Sequence, residues 1–487
     1  MGGRLTKERE SGAMVPKRYF LHASGFDPHD SVAQYRRFVR EVARFAATWN
    51  VKAQVSAIHR SGVPDGHWTV MTQAPGWQVV TVFELLDWSD IVRGELKRPS
   101  ARRLAEGLAT FAEFISSGTA RRYFTANWRY GMFFLVPFLN VFLFAALAVL
   151  AADYVGTAVA AGLGSTLGST LGGIAAAMAA ALLVFAALMR WPGERWRVPQ
   201  ALADWIFARE YMLGRHPKMN ARIEAFVAHV VACARRADVE EIVIAGHSLG
   251  AIVAVDVLAR AFDRDPALGR HGPKLNLLTV GATIPKLALH PRGAWLRESV
   301  RRLAAEPSLT WAEYQARDDF ISFHKFDPVK LTRLPSPPQA GKDKSICPPP
   351  LAGEGSEGGD GPIIRRVQIH QMLSAPTLRR LRFSYMRLHY QFVMANERRA
   401  AYDYFMLMCG PAPFRRTATQ PNGPADLYGA DGAYAVPSLP AGSAGVPPAP
   451  PPPYPPPQAG EGRVGAAGET PALPGEGREG AAAVDPP

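Results

Sequence analysis

Residues 131–189 carry a single charged side chain, Asp153. An apolar stretch of this length must be buried in protein or in hydrocarbon, so it limits the fold more than any other feature of the chain. The run 131–152 is long enough to cross a hydrocarbon core of roughly 30 Å at about 1.5 Å per residue. A second, Ala-rich run covers 171–189, and the small-residue segment GTAVAAGLGSTLGST joins the two. Arg121, Arg122 and Arg129 precede the first run, and Arg190, Arg195 and Arg197 follow the second. The connection has neither Lys nor Arg, so the positive-inside rule places both flanks and both termini on the cytoplasmic side. Trp128, Tyr130, Trp191 and Trp196 fit an interfacial aromatic belt. The expectation is a two-span transmembrane hairpin, at 129–197 with its flanks, in a bacterial inner membrane, with the lipid bilayer as partner.

The remaining composition agrees with a membrane surface. There are 55 Lys and Arg against 42 Asp and Glu, dispersed along the chain, and no nucleic-acid module is visible. Three cysteines, Cys233, Cys347 and Cys409, lie far apart with no CxxC and no Cys/His ligand spacing, so neither a disulfide framework nor a metal site is expected. No cofactor is expected either.

Around the hairpin the pattern is that of an α/β domain. A β-rich run at 18–23 ends in the turn Ser24-Gly25-Phe26-Asp27-Pro28. A helix capped by Asp30 or Ser31 follows, with Tyr35, Phe38, Val39, Val42 and Phe45 as its apolar face. A strand near 53–59 precedes a β-pair, 67–73 and 78–83, turning at Pro75-Gly76. Beyond the hairpin, 201–236 reads as a long helix broken or kinked at His216-Pro217. Strand 241–245, helix 251–262 and strands 275–280 and 309–316 then alternate as in a mostly parallel sheet covered by helices. The predicted divisions are a disordered N-terminus at 1–17 and a first part of the domain at 18–128. After the hairpin come a second part at 198–333, a disordered Pro/Gly insertion at 334–362, a last part at 363–416 and a disordered tail at 417–487.

The chemistry centres on Gly246-His247-Ser248-Leu249-Gly250. This GxSxG pattern follows EIVIA and precedes AIVAVDVLARAF, which sets it on a strand-to-helix turn. Such a turn exposes the serine hydroxyl at a helix N-terminus, where N–H groups favour a developing negative charge. With these residues the chain resembles the α/β-hydrolase superfamily, lipases and esterases in particular, over 19–123 and 201–408 outside the insertion. The resemblance implies a serine ester hydrolase that forms a covalent ester on Ser248 and releases it to water, with an ester or lipid substrate. It also implies a triad in the order Ser, acid, His.

That order points downstream. Asp319, in Arg317-Asp318-Asp319-Phe320-Ile321-Ser322 at the end of strand 309–316, resembles the lipase acid, with Asp327 and Asp318 as alternatives. His389, ahead of a final helix, is the candidate base, and His370, in an alternating stretch that reads as a strand, is the alternative. The oxyanion donors implied are the N–H of Leu249 and one from the loop RYFLHASGFDP, where Gly25 and Phe26 compete and Phe26 is preferred. Residues 283–291 are a candidate pocket rim. A catalytically inactive, membrane-tethered scaffold with the same fold is the competing reading.

Overall fold

The computed structural model describes residues 14–60, 66–164, 167–333, 361–381 and 384–435. The predicted disorder at 1–13, the bulk of the 334–362 insertion and the tail beyond Ala435 lie outside the described residues.

An eight-stranded, mostly parallel sheet organises the domain. β1 (Lys17–Ala23) leads through α1 (Ser31–Trp49) to β2 (Lys52–Val55), β3 (His67–Ala74) and β4 (Trp77–Leu85). Helices α2 (Ser89–Leu96), α3 (Ser100–Ser116) and α4 (Thr119–Ala126) precede the hairpin α5 (Trp128–Leu163) and α6 (Leu167–Leu188). Then come α7 (Val198–Met212), α8 (Pro217–Ala234), β5 (Glu241–His247), α9 (Gly250–Arg264) and β6 (Lys274–Val280). The chain closes with α10 (Ile284–Ala288), α11 (Ala294–Ala305), β7 (Leu309–Ala316), β8 (Ile363–Val367), and the short helices α12 (Ile369–Met372), α13 (Ala375–Leu381), α14 (Tyr385–Tyr390), α15 (Tyr404–Cys409) and α16 (Phe414–Thr419).

The strand order is β2-β3-β4-β1-β5-β6-β7-β8. Only β2–β3 and β3–β4 are antiparallel, and β4 through β8 run parallel with β1. β5 is buried along its whole length, which its run of apolar side chains permits. Its Ile242 and Ile244 enter the core under α8 and α9, while Val243 and Ala245 enter the opposite core under α1 and α15. Helices therefore cover both faces.

Several expectations need correction. Val39 faces solvent, 37% exposed, because it lies about 100° from Phe38 around the helix, and Gln34 and Glu41 take the buried positions instead. By contrast, the break expected at His216-Pro217 is present and separates α7 from α8: Pro217 opens α8 at its first turn and the His216 side chain accepts the Met219 N–H at 3.1 Å. His370 sits on α12, not on a strand, because pairing with β7 ends at Val367. The chain is also folded before residue 18, with Val15 buried and its N–H on the Pro411 carbonyl at 2.8 Å. Past residue 416, Leu427, Tyr428 and Tyr434 are buried, Trp77 donates to the Gly432 carbonyl at 2.9 Å, and Tyr428 packs edge-on to Trp49. Aromatic burial outweighs the Pro/Gly composition there.

The hairpin differs from the simple two-span picture in two respects. Both helices are long and apolar enough to cross a membrane. However, the lower part of α5 packs one face, through Tyr130, Phe134, Phe138 and Val141, against Phe111, Phe114 and Trp205 of the domain. The small-residue segment is largely helical. α5 runs on to Leu163, and Gly156 and Gly173 allow the two helices to approach until a Cβ on Gly156 would lie 2.9 Å from that of Ala177. Beyond the domain, α5 and α6 expose apolar side chains, with Leu150 67% and Leu182 73% exposed.

Candidate active site

Ser248 stands where β5 turns into α9, with φ at 56°. A left-handed serine costs on the order of 1–3 kcal/mol, so its surroundings must hold it. They do so through the backbone. Ser248 donates its N–H to Val280 at 3.2 Å, and its carbonyl accepts from Ala251 at 3.1 Å and Thr283 at 3.3 Å. The flanking glycines are steric requirements: a Cβ on Gly246 would meet Ala251 Cα at 2.5 Å, and one on Gly250 would meet the Ala23 carbonyl oxygen at 2.1 Å.

The 24–28 loop passes directly over this turn, since a Cβ on Gly25 would fall 3.0 Å from Ser248 Cβ. It is firmly tied. Trp88 donates to the Ser24 carbonyl at 3.0 Å, Ser24 Oγ lies 2.6 Å from Gln34 Oε1, and Asp27 donates its N–H to Gly25 at 2.8 Å. Burial pushes the Asp27 carboxyl up, but His29 and Arg37 outweigh it and hold the group well below the usual carboxylate range. Phe26 packs against both Trp88 and Phe207, which stack on each other. Among the described residues, the N–H groups of Leu249 and Phe26 make no turn or loop hydrogen bond.

His389 on α14 donates from Nδ1 to Asp319 Oδ2 at 2.7 Å, with both side chains essentially buried. Asp319 is itself oriented, its Oδ1 accepting the Ile321 N–H at 2.9 Å. His389 Nε2 is buried without a hydrogen-bond partner among the described residues, and His389 lines the same cavity as Ser248. The alternatives lie elsewhere. Asp318 faces His370 at 4.0 Å on the surface, while Asp327 caps Val329 at 2.9 Å. Ser248, Asp319 and His389 are thus brought to one place, with Phe26 and Gly25 on the same cavity wall.

Two features go beyond the roles assigned from the sequence. His247, the variable residue of GxSxG, is buried and donates from Nε2 to the His389 carbonyl at 3.1 Å, with the two rings 4.6 Å apart. Burial, then His389, holds its pKa well below the ordinary histidine value, so it stays neutral and helps hold His389 in place. Lys286, within the expected rim, pairs with Asp204 at 2.5 Å above the Trp205 ring, and both ionic groups line the cavity. Burial lowers the Lys286 pKa against the opposing pull of Asp204. The cavity measures about 80 Å³, and Tyr130, Phe133, Tyr385 and Tyr390 add aromatic walls.

Chemically, the set offers a half-buried hydroxyl that lines the cavity, an imidazole whose tautomer a carboxylate fixes, and two nearby backbone N–H groups without turn or loop bonds among the described residues. No protein-family model matches the chain, and neither the curated proteins nor the solved structures contain a match.

Proposed function

We propose that this chain is a membrane-anchored serine hydrolase of the α/β-hydrolase type that cleaves carboxylic esters, lipid esters foremost. The observation that carries the reading is a left-handed Ser248 at a strand-to-helix turn, sharing one cavity with an Asp319-backed His389. In the reaction, His389 Nε2 takes the Ser248 proton as Oγ attacks the ester carbonyl. The N–H groups of Leu249 and Phe26 receive the oxyanion, and His389 returns the proton to the departing alcohol. Water then attacks the acyl-serine with His389 as base, releasing the acid and regenerating Ser248. The hydrogen bond between Ser248 and His389 forms as substrate binds, since such contacts commonly tighten only in the complex.

Lipid is favoured because the hairpin and the cavity share residues. Tyr130 and Phe133, from the start of α5, and Arg197, just past α6, line the cavity with Ser248. A bilayer holding α5 and α6 therefore puts its cytoplasmic interface beside the cavity, with the Arg flanks among the headgroups and both termini in the cytoplasm. A bacterial inner membrane suits this arrangement.

A fluorophosphonate probe tests the chemistry. Full-length protein in detergent should be labelled at Ser248, and Ser248→Ala should lose both label and ester turnover while still fractionating with membranes. An unlabelled wild type would leave the inactive scaffold as the better reading.

A further inference from the structure

Away from the cavity, β4 and α8 bring a carboxylate, an imidazole and a thiol to one point. Glu84 Oε2 lies 2.8 Å from His229 Nε2, and Cys233 Sγ lies 3.4 Å from the same nitrogen. All three ligand atoms fall within 4.8 Å of one another. His229 and Cys233 are one helical turn apart, so their side chains share a face of α8, and that face rests on β4. Glu84 and Cys233 are buried, while the His229 side chain keeps 24% exposure and gives solvent one side of the cluster.

The spacing suits a tetrahedral metal. With metal–N near 2.0 Å and metal–S near 2.3 Å, a tetrahedral angle puts N and S about 3.5 Å apart and N and O about 3.3 Å apart. The N···S separation already matches, and the N···O separation must open by roughly half an ångström, within reach of the Glu84 side chain. Charge points the same way. Among the described residues, no Lys or Arg stands within ion-pair distance of the buried Glu84; its partner is His229.

A second cluster, Glu95, Glu210 and His216, shows what a filled counterpart looks like. There Arg98 Nη2 already lies 2.6 Å from both glutamates, and His216 Nδ1 accepts the Met219 N–H. A guanidinium occupies the position that a cation would take.

We propose that Glu84, His229 and Cys233 form a binding site for a divalent transition metal of the zinc class, with water as the fourth ligand on the open side. Thiolate and imidazole select zinc or cobalt over magnesium and calcium. On binding, the thiol proton and any proton on Nε2 leave to solvent, and the metal bonds to Sγ, Nε2 and a Glu84 oxygen. The metal would clamp α8 to β4 next to β1, the strand that carries the 24–28 loop.

The test uses full-length protein in detergent, dialysed against buffered zinc and analysed for metal. One zinc per chain is expected, with affinity about tenfold or more weaker in Cys233→Ser and Glu84→Gln and unchanged in Cys409→Ser. Cobalt should give a thiolate charge-transfer band that Cys233→Ser lacks. Zinc bound no better by wild type than by Cys233→Ser, or cobalt without that band, would overturn the proposal. In a Cys347→Ser background, zinc should also slow alkylation of Cys233, and this readout does not depend on the folding of a ligand variant. An unchanged alkylation rate counts against the site. None of these readouts involves ester hydrolysis.

Discussion

Replacing Asp319 by asparagine isolates what the carboxylate contributes to His389. The two side chains have the same shape, and the Asn carbonyl can keep the Ile321 N–H bond that Asp319 makes at 2.9 Å. Its NH₂ group then faces His389 Nδ1 where the carboxylate now sits at 2.7 Å. An NH₂ group only donates, so Nδ1 must accept and the imidazole proton moves to Nε2. The lone pair that should take the Ser248 proton is lost. The expected fall in kcat is about 10⁴-fold, or roughly 5.5 kcal/mol in the barrier, whereas stability should move by only about 1–2 kcal/mol because shape and one hydrogen bond remain. The assay is turnover of a chromogenic ester in detergent, with thermal melting alongside. Asp318→Asn and Asp327→Asn should stay within about twofold of wild type, being away from the cavity. The reasoning is refuted if folded Asp319→Asn keeps more than about a tenth of the activity, or if Asp318→Asn loses as much.

Three further outcomes follow from buried groups. Burial pushes the Glu313 carboxyl from 4.5 up to about 7, against hydrogen bonds from Gln315 and Thr279. Its folded pKa lies above the unfolded one, so its contribution is full below about pH 4.5 and lost as pH rises through about 7, a fall of up to roughly 3 kcal/mol. Glu313→Gln should flatten that part of a melting-versus-pH curve, and an unchanged slope refutes the assignment. Arg18, fully buried, pairs with Glu241 at 2.9 Å and donates to the carbonyls of Met408, Gly410 and Ala412. Arg18→Met should cost about 3–5 kcal/mol by stranding the Glu241 charge, and adding Glu241→Gln should restore part of it in denaturant titration. Relative to a chain ending at Ala435, truncation after Arg416 removes buried Leu427, Tyr428 and Tyr434 and should cost roughly 5 kcal/mol or more in denaturant titration.

What could be read from the chain without coordinates was local. β1, β5, β6 and β7 stand within two residues of their expected bounds, because short β-rich runs followed by turn residues leave few alternatives. The turn at Ser248 was legible for the same reason. Choosing among Asp318, Asp319 and Asp327 was not a local question. β7 ends at Ala316, and the path of the next few residues decides which carboxylate turns inward. His370 and His389 differ only in which short helix meets that path. Val39 failed because five apolar residues exceed the width of the buried stripe on α1. The Glu84, His229 and Cys233 cluster was invisible because 145 residues separate its carboxylate from its imidazole. The order of the sheet, with its first strand near the centre, leaves no trace in hydropathy.

That central position of β1 has a consequence for biogenesis. Its two neighbours are β4 and β5, and between them in the chain lie α2 to α8, including the whole hairpin. During synthesis β1 can pair with β4 early, but its other edge must wait for β5, which brings Ser248. The loop closed by that pairing spans residues 23 to 241, yet closure entropy grows only as (3/2)RT ln n, so the wait is kinetic more than thermodynamic. An apolar hairpin leaving the ribosome first reaches its final surroundings before β5 exists. The hydroxyl, the donors of the 24–28 loop and His389 can then meet only in a chain whose hairpin is already in place. If the chain is the membrane-anchored hydrolase proposed above, this order would complete its site only where the hairpin already lies, with no freely diffusing active precursor to restrain.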